Sequence, residues 1–210
     1  MTMRSRSTGL AATVLLLLGG IGFAAGAESV QPAKSAMGTA TAVFAGGCFW
    51  CMEADFEKLP GVISAESGYT GGKTANPTYH EVSAGGTGHT EAVRVSYDTA
   101  KLSYRQLVDY FWHHIDPAAR DRQFCDVGTQ YRSAIYWRNE AERKIAEQSR
   151  AALLRSGRLP QVFTEIAAAS AFYPAEEYHQ DYYRKNPLRY AFYRRSCGRD
   201  ARVHEIWGEQ

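Results

Sequence analysis

The sequence lacks a charge surplus of either sign. Of 210 residues, 24 are Lys or Arg and 22 are Asp or Glu. Setting aside Arg4 and Arg6, which belong to an N-terminal segment treated below, leaves 22 of each sign. A chain this close to neutral lacks the basic footprint of a nucleic-acid binder, so no nucleic-acid partner is expected. The late basic run "RKNPLRYAFYRRSCGRDAR", from Arg184 to Arg202, reads as solvated surface. Cysteine is also scarce, with Cys48, Cys51, Cys125 and Cys197 as the whole complement. A zinc site would want a second close pair beside Cys48 and Cys51, but Cys125 and Cys197 stand far apart and no His pair has ligand spacing, which argues against any metal. Internal repeats and linkers are missing as well.

Long apolar runs are absent but for one. Met1 to Ser7 carries Arg4 and Arg6 without an acid, "LAATVLLLLGGIGFAA" follows, and Ala25-Gly26-Ala27 closes the segment in a small-x-small pattern. That is the grammar of a secretory signal peptide over residues 1–27. An uncleaved anchor is the competing reading, yet the run is short for a span and broken by Gly19, Gly20 and Gly22. Residues 28–37 read as a flexible leader and 38–210 as one domain, large enough for a substantial core. The expected location is therefore exported, periplasmic or secreted. An even cysteine count in that setting first suggests structural disulfides, but a domain of this size does not need staples, and two of the four thiols sit three apart at a helix start.

The coarse pattern alternates. "TATAVFAGG" from Thr39 is a short apolar strand ending in glycines, and "CFWCMEADFEKL" has helical periodicity up to Pro60-Gly61. "VISAESGYTGG" and "TEAVRVSYD" alternate as strands, separated by the polar loop "KTANPTYHEVSAGGTGH". "SYRQLVDYFWHHID" is an amphipathic helix with Ser103 as N-cap, "SAIYW" a strand, "NEAERKIAEQSRAALLRSG" a helix ended by Gly157, and "VFTEIAAAS" a strand. "PAEEYHQDYYRKN" reads as one more helix before an irregular C-terminal tail. The order predicts an α+β fold, a two-layer sandwich of helices on a mixed β-sheet with a ferredoxin-like βαββαβ core.

Within that frame Cys48 follows Gly46-Gly47 and opens the first helix, where unpaired amides and the helix dipole favour an anion. Its pKa is expected to be lowered, and the glycines would let a substrate approach the backbone. The plainer alternative is a small buried hydrophobe. Phe49 and Trp50 serve equally as core aromatics, although both would be core only if the helix were buried all round. On residue type alone Glu91 is a solvated strand residue, Tyr79 and Tyr131 are packing or surface residues in a chain with 13 tyrosines, and Asp126 is a cap before Gly128.

The motifs "GGCFWC", "GVISAESGYTGG", "NPTYHEV", "GHTEAVRVSYD", "FCDVGTQYRSAIY" and "YHQDYYRKNP", in this order between Val43 and Trp207, resemble the type A peptide methionine sulfoxide reductases. The resemblance implies Cys48 as nucleophile, Phe49 and Trp50 as the pocket for the substrate methyl, and Glu91 as acid. It implies that Tyr79, Asp126 and Tyr131 hold the sulfoxide oxygen and the substrate backbone. The substrates implied are oxidised methionine residues in proteins and free methionine sulfoxide, of the S epimer. No cofactor is implied, since electrons pass through thiols. A sulfoxide oxygen leaves only once protonated, so the acid must be a carboxyl kept neutral by an apolar pocket. Attack leaves Cys48 as a sulfenic acid, which a second thiol converts to a disulfide for an external thioredoxin-like dithiol to reduce. A monomer is expected.

Two other functions compete: a thioredoxin-like disulfide oxidoreductase using only C-F-W-C, and an extracellular binding domain stapled by all four cysteines. The recycling thiol is also open. Cys51 shares a helix face with Cys48, Cys197 lies in a glycine-followed tail among Arg194, Arg195 and Arg199, and Cys125 adjoins Asp126. The expectation is a Cys48–Cys197 disulfide over Cys48–Cys51, with a relay through Cys51 to Cys197 as a variant.

Overall fold

The computed structural model describes residues 38–208; the signal peptide and leader expected at 1–37 lie outside the described residues. Along the chain run β1 (Thr39–Gly46), α1 (Phe49–Phe56), β2 (Val62–Thr70), α2 (Tyr79–Ala84), β3 (Thr90–Asp98) and α3 (Tyr104–Trp112). There follow β4 (Arg122–Gln123), β5 (Asp126–Val127), a 3-10 turn (Thr129–Tyr131), β6 (Ser133–Trp137) and α4 (Glu140–Arg155). The chain continues with β7 (Glu165–Ala168), β8 (Tyr173–Pro174), α5 (Tyr182–Lys185), α6 (Pro187–Ser196) and α7 (Arg199–Trp207). Among the described residues, no helix is long and apolar enough to cross a membrane.

Six strands form one sheet in the order β7-β6-β1-β3-β2-β8. Its pairings are antiparallel except β6 with β7, so the sheet is mixed, as expected. The inner order β6-β1-β3-β2 is compatible with the ferredoxin-like description. Because strand side chains alternate between faces, Ala42 and Phe44 of β1 enter the main core with Val93, Val95 and Ile135, whereas Val43 and Ala45 join a smaller cluster with Ala92, Ala134 and Tyr136. Phe44 lies 5.1 Å from both Phe56 of α1 and Phe111 of α3 by ring centroids. Burying aromatic rings of this size against the sheet is worth about 2 kcal/mol or more each. The same alternation sets Glu91 on the face of β3 that carries Val93, Val95 and Tyr97, under α1.

Capping chemistry explains the well-placed helices. Ser103 and Gln106 form a reciprocal capping box at α3, and Asn139 accepts from the Glu142 amide at α4. Thr78 and Glu81 do the same at α2, and this box nucleates a helix where the sequence pattern gave only loop. The irregular tail is corrected to two further helices, α6 and α7. Of the helix expected over "PAEEYHQDYYRKN", only α5 forms, after Asp181 takes a left-handed conformation.

The glycine pair has a packing reason rather than the expected one of substrate approach. A Cβ on Gly46 would meet Met52 Sδ at 2.5 Å, and one on Gly47, at φ +81°, would meet Gln123 Cβ at 2.5 Å. Gln123 cannot retreat, because it is buried and its amide bridges both the N–H and the C=O of Asp116 at 2.9 and 2.7 Å. Gly47→Ala is accordingly expected to destabilise the fold by about 3 kcal/mol. Urea unfolding checks this, and a midpoint within error of wild type would show that the loop relaxes freely.

Candidate active site

Helix α1 has no conventional N-cap. Cys48 holds that position and its carbonyl accepts from the Cys51 and Met52 amides at 3.1 and 3.3 Å, but its thiol caps nothing. The cap comes instead from the sheet, where the Glu91 carboxyl accepts from the Phe49 amide at 2.9 Å. A carboxyl is thus fixed beside the thiol at the helix start. α1 is buried almost all round, with Trp50 half-buried. This is the condition under which both aromatics pack as core, and Phe49 does so against Tyr69, Tyr79 and His179.

Cys48, Phe49, Trp50, Tyr79, Glu91, Asp126 and Tyr131 line one cleft of about 70 Å³, with Tyr193 as a further wall. Seven of the residues picked out in the sequence are therefore brought together. Trp50 is held by its indole N–H, which donates to His179 Nδ1 at 3.0 Å, and by a parallel stack on Tyr182 at 3.8 Å. Tyr79 is pinned by its own amide, which donates to Glu176 at 2.8 Å. Asp126 is no turn cap: its carboxyl accepts from the Tyr193 hydroxyl at 2.5 Å. Tyr193 and His179 were not singled out in the sequence. His179 stood inside the quoted motif "YHQDYY", whereas nothing near Tyr193 distinguished it.

Burial pushes the Glu91 carboxyl up to about 8, outweighing the Phe49 amide that favours its anion. Burial likewise raises Tyr79 to about 12 and holds Tyr131 and Tyr193 above their ordinary values, so all three remain phenol donors. Asp126 is also raised by burial, against the hydrogen bond from Tyr193.

The lowered pKa expected for Cys48 is corrected. Burial raises this thiol well above its ordinary value, reinforced by its hydrogen bond with Cys51 and opposed by one with Tyr193. It is Cys51 that is lowered, first by the hydrogen bond with Cys48 and then, against burial, by Arg199 and Arg194. Those arginines are not the solvated surface expected of the basic run. Arg194 lies 2.9 Å from the buried Asp55 carboxylate. Arg199 is buried, donates to the carbonyls of Gly46 and His114 at 3.2 and 2.8 Å, and lies over the Phe124 ring. Burial alone would raise Asp55, but the two guanidiniums hold it below the usual carboxylate range. The C-terminal helices are bolted in this way under α1 and the turn before Cys48.

Cys197 does not lie in a mobile tail. It ends α6 and is bonded to Cys125, with an S–S distance of 2.06 Å, while Cys48 and Cys51 remain buried thiols. In this structure Cys197 is therefore paired with Cys125, and Cys48 and Cys51 form a separate pair of thiols. A binding domain stapled by all four cysteines does not fit two free, hydrogen-bonded thiols in a cleft.

A thiol pair facing a neutral carboxyl and several phenols marks a thiol-based oxidoreductase. The comparisons with known proteins narrow that class. Residues 40–210 match the family described as Peptide methionine sulfoxide reductase. The chain is 51% identical over 180 residues to Peptide methionine sulfoxide reductase MsrA 2 of Caulobacter vibrioides, covering 86% of this chain and 91% of that one. To the MsrA of Bacillus licheniformis it is 48% identical over 170 residues, covering 80% and 94%. Among solved structures, methionine sulfoxide reductase A of Corynebacterium diphtheriae superposes with TM-score 0.65 at 39% identity, covering 74% of this chain and 78% of that one. Reduced Mxr1 of Saccharomyces cerevisiae gives TM-score 0.67 at 29% identity, covering 73% and 91%. The chain belongs to the MsrA family of peptide methionine sulfoxide reductases. It is a peptide-methionine (S)-S-oxide reductase, which sets aside the thioredoxin-like reading of C-F-W-C.

Proposed function

We propose that Cys48 carries out this reduction as nucleophile with Glu91 as the acid, in the repair of oxidised proteins. One observation supports it above the rest: Glu91 is buried, mostly protonated at neutral pH, and fixed by the amide next to Cys48. In this reading the substrate methyl packs on Phe49 and Trp50, while the Tyr79 and Tyr131 hydroxyls donate to the sulfoxide oxygen and Asp126 receives the substrate backbone. The Cys48 thiolate attacks sulfur as Glu91 protonates the oxygen, and the transient S–S bond and the S–O bond then break as the hydroxyl passes to Cys48. Methionine leaves, reduced by two electrons, and Cys48 is left as a sulfenic acid. The Cys51 thiol, hydrogen-bonded to Cys48, condenses with it to a disulfide and water.

The test is reduction of the two methionine sulfoxide epimers, free and in a peptide, with dithiothreitol as reductant. Turnover of the S form only, abolished by prior alkylation of Cys48, is expected. Equal turnover of the R form, or full activity after alkylation, would overturn the assignment.

The segment 1–27 supports an exported enzyme, whose substrates would be exposed methionines of envelope or secreted proteins and whose reductant would be an exported thioredoxin-like dithiol. Every group invoked belongs to one chain, which supports action as a monomer. N-terminal sequencing of the protein recovered from the periplasm or medium tests export, with a mature start after Ala27 expected. A cytoplasmic chain that still begins at Met1 would refute it.

A further inference from the structure

Glu53 is a buried carboxyl that the reaction does not use. It is 1% exposed and does not line the cleft, so it offers the substrate neither a proton nor a contact. Three residues after Trp50, it shares that residue's face of α1. The segment from His179 to Tyr183 is tied to α1 and β2 residue by residue. His179 Nδ1 accepts from the Trp50 indole at 3.0 Å, and the Gln180 side chain pairs with the amide and the carbonyl of Ser67 in β2 at 3.0 and 2.9 Å. The Asp181 amide donates to Glu53 Oε1 at 2.7 Å, and the Tyr183 hydroxyl donates to Glu57 at 2.6 Å. Glu53 Oε2 accepts in turn from the Ser67 hydroxyl at 2.6 Å, which fixes the carboxyl between α1, β2 and the start of α5. That start needs holding. Asp181 sits at φ 52° and ψ 31°, a left-handed conformation unfavourable to a residue with a Cβ, and α5 has four residues and no side-chain cap. The next residue, Tyr182, lies parallel to the Trp50 ring at 3.8 Å and 7°.

We infer that Glu53 is a positioning residue for substrate binding: by holding the Asp181 turn it seats Tyr182 on Trp50 and so fixes the indole that receives the substrate methyl. This rests on the reading of Trp50 as a wall of the methyl pocket and extends it to a carboxyl outside the cleft. Methyl packing is present in the bound substrate as well as in the transition state, so loosening the indole weakens binding and leaves the rate of bound substrate nearly unchanged. The hold requires an acceptor for the Asp181 amide and a partner for the Ser67 hydroxyl, not a charge. Burial raises the Glu53 carboxyl to about 7 against both hydrogen bonds, and its neutral form serves as well, with one oxygen accepting from the amide and the O–H donating to Ser67 Oγ. Glutamine reproduces that pattern through its carbonyl and its amide N–H. Leucine, of similar size, provides neither bond.

The test measures turnover of a peptide carrying methionine S-sulfoxide, with dithiothreitol as reductant, in steady state and in single turnover. Glu53→Leu is expected to raise KM about tenfold while the first-turnover rate at saturation stays within about threefold of wild type, and Glu53→Gln to stay within about twofold in both. The Trp50 indole N–H resonance, assigned by its loss in Trp50→Phe, should shift in Glu53→Leu and hold its place in Glu53→Gln. A Glu53→Leu protein that loses kcat at unchanged KM, or leaves the indole resonance unmoved, would make Glu53 a structural residue only and overturn the inference. Hydrogen exchange of wild type is independent of any variant's folding: the Asp181 amide should exchange about a hundredfold or more slower than an unstructured peptide, and a freely exchanging amide would refute the hold. Trp50→Ala tells the two readings apart. An unchanged KM there would remove Trp50 from the methyl pocket, whereas a raised KM there beside an unchanged one in Glu53→Leu would refute the role of Glu53 alone.

Discussion

Cys48→Ser is expected to lose at least a hundredfold of its activity, in single turnover as well as in steady state. The change keeps the size and the N-cap geometry, which uses only the backbone carbonyl of Cys48, so stability should change little. A serine hydroxyl, however, has a pKa too high to supply an anion, and a buried site disfavours that anion further. Oxygen also cannot accept the hydroxyl as sulfur does in becoming a sulfenic acid. Measuring methionine released per chain in the first seconds isolates this step from recycling. Cys51→Ser is the comparison: it should still release one methionine per chain, whereas Cys48→Ser should release none. A first turnover by Cys48→Ser above about a hundredth of the wild-type rate would move the nucleophile elsewhere.

Much of this arrangement was legible in the sequence because it is local. The alternation of "TEAVRVSYD" determines which face Glu91 occupies, Ser103 marks a helix start, and "SAIYW" coincides with β6. Tertiary contacts decide what was misjudged. The pKa of Cys48 depends on what covers it, and a helix-terminus argument cannot register burial. Four cysteines allow three pairings, and the partner of Cys197 lies 72 residues away, beyond the reach of any spacing rule. The buried ion pairs of Arg194 and Arg199 were hidden in a run whose other basic members are exposed or half-buried. α6 was missed because its apolar residues do not mark a core-facing stripe: Leu188 and Phe192 are both exposed.

Glu91→Gln is expected to slow the first turnover by about a hundredfold or more, the usual scale for losing a general acid. Phe49 N–H still finds an acceptor in the glutamine carbonyl, so the start of α1 should survive and the loss can be assigned to chemistry. The pH dependence separates an acid from a mere hydrogen-bond donor. The reactive form needs Cys48 ionised and Glu91 protonated, while burial holds Cys48 well above its ordinary value and Glu91 at about 8. Below pH 8 Glu91 keeps its proton, so the wild-type rate should rise about tenfold per pH unit as thiolate forms. Above it each further gain in thiolate is cancelled by loss of the acid, and the rate should level off. Glu91→Gln has no proton to lose, so its smaller rate should go on rising through pH 8 toward the pKa of Cys48. Stopped single turnovers from pH 6 to 10 read both features. A variant that keeps the wild-type rate, or keeps the break near pH 8, would remove Glu91 from the reaction and assign that break to another group.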